Sequence, residues 1–168
     1  MSVFKEPTFW FALISSVCAG YTVLNNLYNR SKSLLISLNW FSYMDGQITA
    51  SFNVYNPSSE NRTLRNINFL FEGKRYQVTD YPDILSRRKY ADGGNVTAFS
   101  DGMPININPK SSQSVVVTFK HLPSRIIAAK DLDFAFLIDK KSKIQNISVT
   151  EKIIDTEQLV RRLNRRFR

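Results

Sequence analysis

Ile48–Val54 reads ITASFNV. Ile48, Ala50, Phe52 and Val54 alternate with Thr49, Ser51, Asn53 and then Tyr55. A period of two puts one set on each face of a β-strand, the apolar set toward a core. Upstream, Leu34-Leu35-Ile36-Ser37-Leu38 forms a partner strand, and Asp45-Gly46 between the two is a strong hairpin signal. Downstream, Asn56-Pro57-Ser58-Ser59 breaks the chain. Ile67, Phe69 and Phe71 then mark a third strand, which Glu72-Gly73-Lys74 turns into Arg75–Val78.

The same texture continues through Val96–Phe99, Ile105–Ile107, Ser114–Phe119, Phe134–Ile138 and Ile144–Val149. Asp101-Gly102 and Asn108-Pro109-Lys110-Ser111 punctuate it. Eight or nine short strands at regular spacing predict an antiparallel sandwich. Pro123–Lys130 reads as a short connecting helix. Thr79–Gly94 holds Pro82, Gly93, Gly94 and the run Arg87-Arg88-Lys89, and reads as an exposed loop between sheets.

Two segments, SFNVYNPSSENRTLRNINFLFEG (Ser51–Gly73) and PININPKSSQSVVVTF (Pro104–Phe119), carry a resemblance. They resemble the immunoglobulin-like modules of small bacterial and prophage membrane proteins, and the late-embryogenesis-abundant type 2 sandwich. In such modules an Asn-Pro or Asn-Ser turn ends one strand, and a Pro-Lys-Ser-Ser turn leads into a Val-rich strand. The resemblance implies a mainly β, immunoglobulin-like sandwich and carries no functional residue across, because fold does not imply function.

The N-terminus obeys a different rule. Pro7–Asn29 is free of charge for 23 residues. As a helix it reaches roughly 34 Å, enough for a hydrocarbon core near 30 Å. Its apolar heart, Phe9–Leu24, includes Phe9, Trp10, Phe11, Leu13, Ile14, Val17, Tyr21 and Leu24, with aromatics toward both ends. Pro7 suits a first helical turn. The span reads as a membrane anchor. A signal peptide cleaved after Ala19 is the rival, since Val17-Cys18-Ala19 is small enough, but Glu6 and Pro7 spoil the basic leader. A buried helix of a soluble fold passes the same test. A lipoprotein site at Cys18 wants a small residue where Val17 stands. Lys5 is opposed by Glu6 before the span, whereas Arg30 and Lys32 follow it unopposed, which places the C-terminal body in the cytoplasm.

Of the 23 Lys+Arg and 14 Asp+Glu, residues 1–32 hold three and one, residues 33–151 hold fourteen and eleven, and residues 152–168 hold six and two. These ranges are read as anchor, sandwich and basic tail. In the tail, Asp155–Arg168 places Thr156, Val160, Leu163 and Phe167 at helical spacing. Asp155 and Glu157 sit in the first turn, and Arg161, Arg162, Arg165, Arg166 and Arg168 crowd the end. Such a helix is suited to an anionic membrane surface. A protein partner is the second choice, and nucleic acid is not expected.

Catalytic chemistry is sparse. His121 and Cys18 are the single His and the single Cys, so no Ser/His/Asp arrangement, no disulfide and no Cys/His zinc site can be assembled. No phosphate-binding Gly pattern occurs. Asp131, Asp133 and Asp139 lack calcium-loop spacing. No catalytic, cofactor or metal residue is assigned. The function expected is a membrane-anchored, non-enzymatic binding or scaffolding module, with membrane lipid and an unidentified protein as partners. The alternatives are a structural membrane component of a lipid-containing phage particle, a prophage exclusion protein, or an exported binding domain released from a signal peptide.

Overall fold

A computed structural model describes residues 7–44, 46–78, 81–89, 95–129, 131–148, 153–154 and 158. Helix α1 (Pro7–Ser31) begins with Pro7, which gives up no hydrogen bond there. The Ser16 and Thr22 hydroxyls are satisfied within the helix. Ser16 Oγ donates to Ala12 O at 2.9 Å and Thr22 Oγ1 to Cys18 O at 2.8 Å. Such back-bonding hides side-chain polar groups from an apolar surrounding. No residue of α1 is buried against the rest of the chain.

Ten strands follow among the described residues: β1 (Leu35–Met44), β2 (Gln47–Tyr55), β3 (Arg62–Phe71), β4 (Lys74–Gln77), β5 (Ile84–Lys89), β6 (Asn95–Phe99), β7 (Ile105–Ile107), β8 (Ser112–Phe119), β9 (Asp131–Ile138) and β10 (Lys141–Ser148). One sheet runs β1-β2-β8; the other runs β10-β9-β3-β4, with β7 also pairing β3. All these pairs are antiparallel. Gly46 and Gly73 take φ of +74° and +72° in the β1–β2 and β3–β4 turns, a conformation that glycine adopts without strain. The short helix expected at Pro123–Lys130 is a 3-10 turn over Ser124–Ala128.

The core lies between the sheets. Ile48, Ala50, Phe52 and Val54 of β2 face it, as their alternation predicts, with Val115, Val117 and Phe119 of β8 beside them. Ile67 and Phe69 of β3 and Phe134 and Phe136 of β9 come from the opposite sheet. Aromatic rings close the gap: Phe52 meets Phe134 and Phe136 edge-on at 5.2 and 5.4 Å.

β1 contains a bulge at Asn39. Leu38 pairs with Phe52, but Trp40 pairs with Ser51, so one residue is extra. Before the bulge Leu34, Ile36 and Leu38 are buried in the core; after it Phe41 faces the core and Trp40 joins the outer face. That outer face is covered rather than solvated. Trp40, Ser42, Thr49, Ser51, Val116 and Thr118 are all buried.

Two covering elements are described. One is the β5–β6 hairpin, whose Leu85 packs on the cluster of Trp40, Val116 and Ile154. This corrects the reading of Thr79–Gly94 as an exposed loop, because Ile84–Lys89 within it is a strand. Three consecutive basic residues mask the pattern, while Leu85 seats the hairpin. Hydrogen bonds anchor its base: Ser100 N to Asp83 O at 2.8 Å and Asp101 N to Val116 O at 2.7 Å. The other cover is Ile153–Ile154, where Ile153 bridges Phe41 in parallel and Ile154 N donates to Phe41 O at 2.9 Å.

Candidate functional site

α1 and the sandwich meet at a built junction. Only Lys32–Leu34 separates α1 from β1, and Leu34 is already fully buried in the core. Arg62, the first residue of β3, reaches back to α1. Its Nη2 donates to Arg30 O, one of the helix's final carbonyls. A cation there complements the partial negative charge of the helix C-terminus. Arg62 Nη1 also binds Asp139 Oδ2 at 2.9 Å, and that pair is largely shielded, at 21% and 36% side-chain exposure. Arg30 Nε meets Glu60 Oε1 at 3.1 Å, an exposed pair worth well under about 1 kcal/mol.

Asp139 organises the β9–β10 turn. It takes φ +52°, a left-handed conformation that Asp tolerates because its carboxylate can bond locally. Asp139 Oδ1 accepts Thr63 N at 2.9 Å, and Asp139 N donates to Thr63 O at 2.8 Å. The turn is thereby clamped to the start of β3, with Lys140 and Lys141 at its tip. Both lysines are exposed, and neither is in an ion pair among the described residues.

These pieces enclose a cleft of about 450 Å³, lined by Ser31, Ser33, Asn61, Arg62, Asp139 and the two lysines, with Ile138 in its wall. Arg62 Nε is buried there without a hydrogen-bond partner. The cleft escapes sequence inspection because its residues come from three separate segments. The one local signal is the Asp139-Lys140-Lys141 turn, which the sequence weighs only as part of an Asp cluster.

The sequence-assigned span residues Trp10, Phe11, Leu13, Ile14, Val17, Tyr21 and Leu24 are all exposed on α1, and Phe9 is half-buried against Trp10. Arg161, Arg162, Arg165, Arg166 and Arg168, with the C-terminal helix expected to carry them, lie outside the described residues. The Phe41–Ile153 bridge is parallel, so Ile153–Ile154 runs the way β1 runs, away from the end joined to α1. Phe41 lies about 20 Å along β1 from Leu35.

Among the described residues no group of three His, Cys, Asp or Glu side chains is placed to hold a metal. Asp133 instead accepts Asn146 Nδ2 at 2.8 Å across the β9–β10 pair.

No protein-family model matches the chain, and no curated protein matches it. Among solved structures, the chain is similar to the copper-bound PCuAC domain from PmoF2. The identity is 10% and the TM-score 0.43, over 70% of this chain and 92% of that one. A protein from Archaeoglobus fulgidus aligns at 11% identity and TM-score 0.30, over 69% of this chain and 90% of that one. A GH20 exo-β-N-acetylglucosaminidase from Vibrio harveyi, in complex with N-acetylglucosamine, aligns at 14% identity and TM-score 0.29, over 73% of this chain and 18% of that chain. Likenesses this distant say nothing about what this chain binds.

Proposed function

We propose that the chain is a single-pass membrane protein that holds a non-enzymatic β-sandwich binding module against the cytoplasmic face of a bilayer. The observation that carries this reading is α1. It is 25 residues long, long and apolar enough to cross a membrane, and none of it is buried by the sandwich. Each large apolar side chain gains about 1.5–3 kcal/mol on leaving water. Phe11, Ile14, Val17, Leu24 and Leu27 are all more than half exposed, so the chain alone leaves that gain unrealised. A bilayer supplies it. Arg30 and Lys32 follow the span, and their charge favours the cytoplasmic side.

Changing both Ile14 and Val17 to Arg tests the anchor. Each Arg near the helix centre costs about 3 kcal/mol of insertion free energy. The double variant is expected to leave the membrane pellet after carbonate washing, with the unfolding midpoint of the sandwich unchanged. Wild-type chain in the carbonate supernatant refutes the reading. N-terminal sequencing that begins at Gly20 supports the exported alternative instead.

The five tail arginines remain part of this proposal as a contact with anionic lipid. Vesicle co-sedimentation separates the cases. Loss of salt-sensitive binding to anionic vesicles when all five are Gln supports the contact, and unchanged binding removes it.

A further inference from the structure

We propose that the cleft between α1 and the sandwich is a binding site for the phosphate group of an anionic phospholipid headgroup. The inference rests on the anchored reading of α1. Its first support is charge. Arg30 is paired with Glu60 and Arg62 with Asp139, which leaves Lys140 and Lys141 at one rim without an ion-pair partner among the described residues. Arg62 caps Arg30 O and so offsets the negative end of the helix dipole, which would otherwise repel an anion. The second support is donor chemistry. Ser33 and Asn61 line the same cleft and supply short neutral donors beside the cations, while Ser31 Oγ donates to Tyr28 O at 2.8 Å. Two ammonium groups with hydroxyl and amide donors suit a phosphate, which takes several hydrogen bonds at once.

The third support is depth. The uncharged stretch of α1 ends at Asn29, and Ser31 lies two residues further on, about 3 Å along the axis. The polar zone on each side of a hydrocarbon core is about 5–8 Å thick. The cleft mouth therefore sits at headgroup level, where lipid phosphate is concentrated. The lysines are also held in place: the Asp139 bonds to Thr63 and Arg62 fix the turn that carries them. A headgroup bound there would tie the sandwich's orientation to the leaflet composition.

The test uses the full chain in phosphatidylcholine nanodiscs containing a minor fraction of phosphatidic acid, with retained lipid read by native mass spectrometry. The wild type should retain phosphatidic acid in preference to phosphatidylcholine. Lys140→Gln with Lys141→Gln should lower that retention about 30-fold, the factor that two basic contacts near an anionic surface give. Lys74→Gln with Arg75→Gln removes the same charge. These residues pair with Phe71 and Leu70, at the far end of β3 from Arg62, so this variant should retain lipid like the wild type. Equal loss in both variants, or no preference in the wild type, overturns the site. Inorganic phosphate distinguishes the source: displacement of the lipid by millimolar free phosphate overturns the headgroup assignment. Carbonate extraction separates this proposal from the one beneath it. Release of the wild type overturns both, whereas membrane retention without phosphatidic-acid preference overturns the cleft alone.

Discussion

Phe134→Ala is expected to destabilise the sandwich by about 4 kcal/mol, measured by urea unfolding of the full chain in detergent. Phe134 is fully buried on β9, between β10 and β3. Its ring stands 5.2 Å from Phe52, 5.4 Å from Phe69 and 6.1 Å from Phe119. It therefore touches both sheets at once. Truncation removes the transfer free energy of the ring and leaves a cavity whose walls belong to different sheets. Large-to-small changes of this kind cost about 3–5 kcal/mol. Phe134→Leu refills most of the space and should cost far less. A loss under about 1 kcal/mol for the alanine variant would mean that the sheets do not close on this residue.

The second large effect falls on a polar residue. Asn56 is fully buried in the turn between β2 and β3. Its Nδ2 donates to Glu60 O at 2.7 Å and to Ile107 O at 3.0 Å. Its Oδ1 accepts Ser58 N at 3.0 Å and Ser58 Oγ at 2.7 Å. Its backbone N–H reaches Ser111 O at 2.9 Å. One side chain thus ties the turn to β7, while its backbone holds the start of β8. Asn56→Ala strands several buried groups, and each costs about 1–3 kcal/mol when water cannot reach it. A total loss of about 3 kcal/mol is expected. Asn56→Asp should be no better, because a carboxylate oxygen would face two carbonyls. Near-wild-type stability of the Asp variant would contradict the network. Asn61→Ala, at an exposed position of the same link, serves as the control and should fall within about 0.5 kcal/mol.

Asn56 also marks the limit of what a linear sequence discloses. Asn-Pro-Ser-Ser is legible as a break, because those residues favour turns on local grounds. That Asn56 is a buried hub is not legible, since Ile107 and Ser111 lie about fifty residues away. The alternation from Ile48 to Val54 predicts β2 and its core face correctly, because period and burial are local. The bulge at Asn39 leaves no such mark: both Trp40 and Phe41 are apolar, and either could have faced inward. The β5–β6 hairpin is hidden because Arg87-Arg88-Lys89 looks like a solvated run. What places it is Leu85 on an outer face that a two-layer sandwich is expected to leave wet. The long apolar helix is the most legible element, since absence of charge over 23 residues is a property of composition. The cleft is the least legible, since Ser31, Arg62 and Lys140 meet only through the strand order.

The central claim is that α1 crosses the bilayer and leaves the sandwich on the cytoplasmic side. Its most direct test is protease accessibility of an epitope placed after Arg168, in carbonate-washed sealed vesicles of known sidedness. The account predicts that the chain stays with the vesicles, and that the epitope is cleaved where the cytoplasmic face is exposed and protected where it is enclosed. Cleavage from the opposite face, or an epitope released with the carbonate wash, would contradict it.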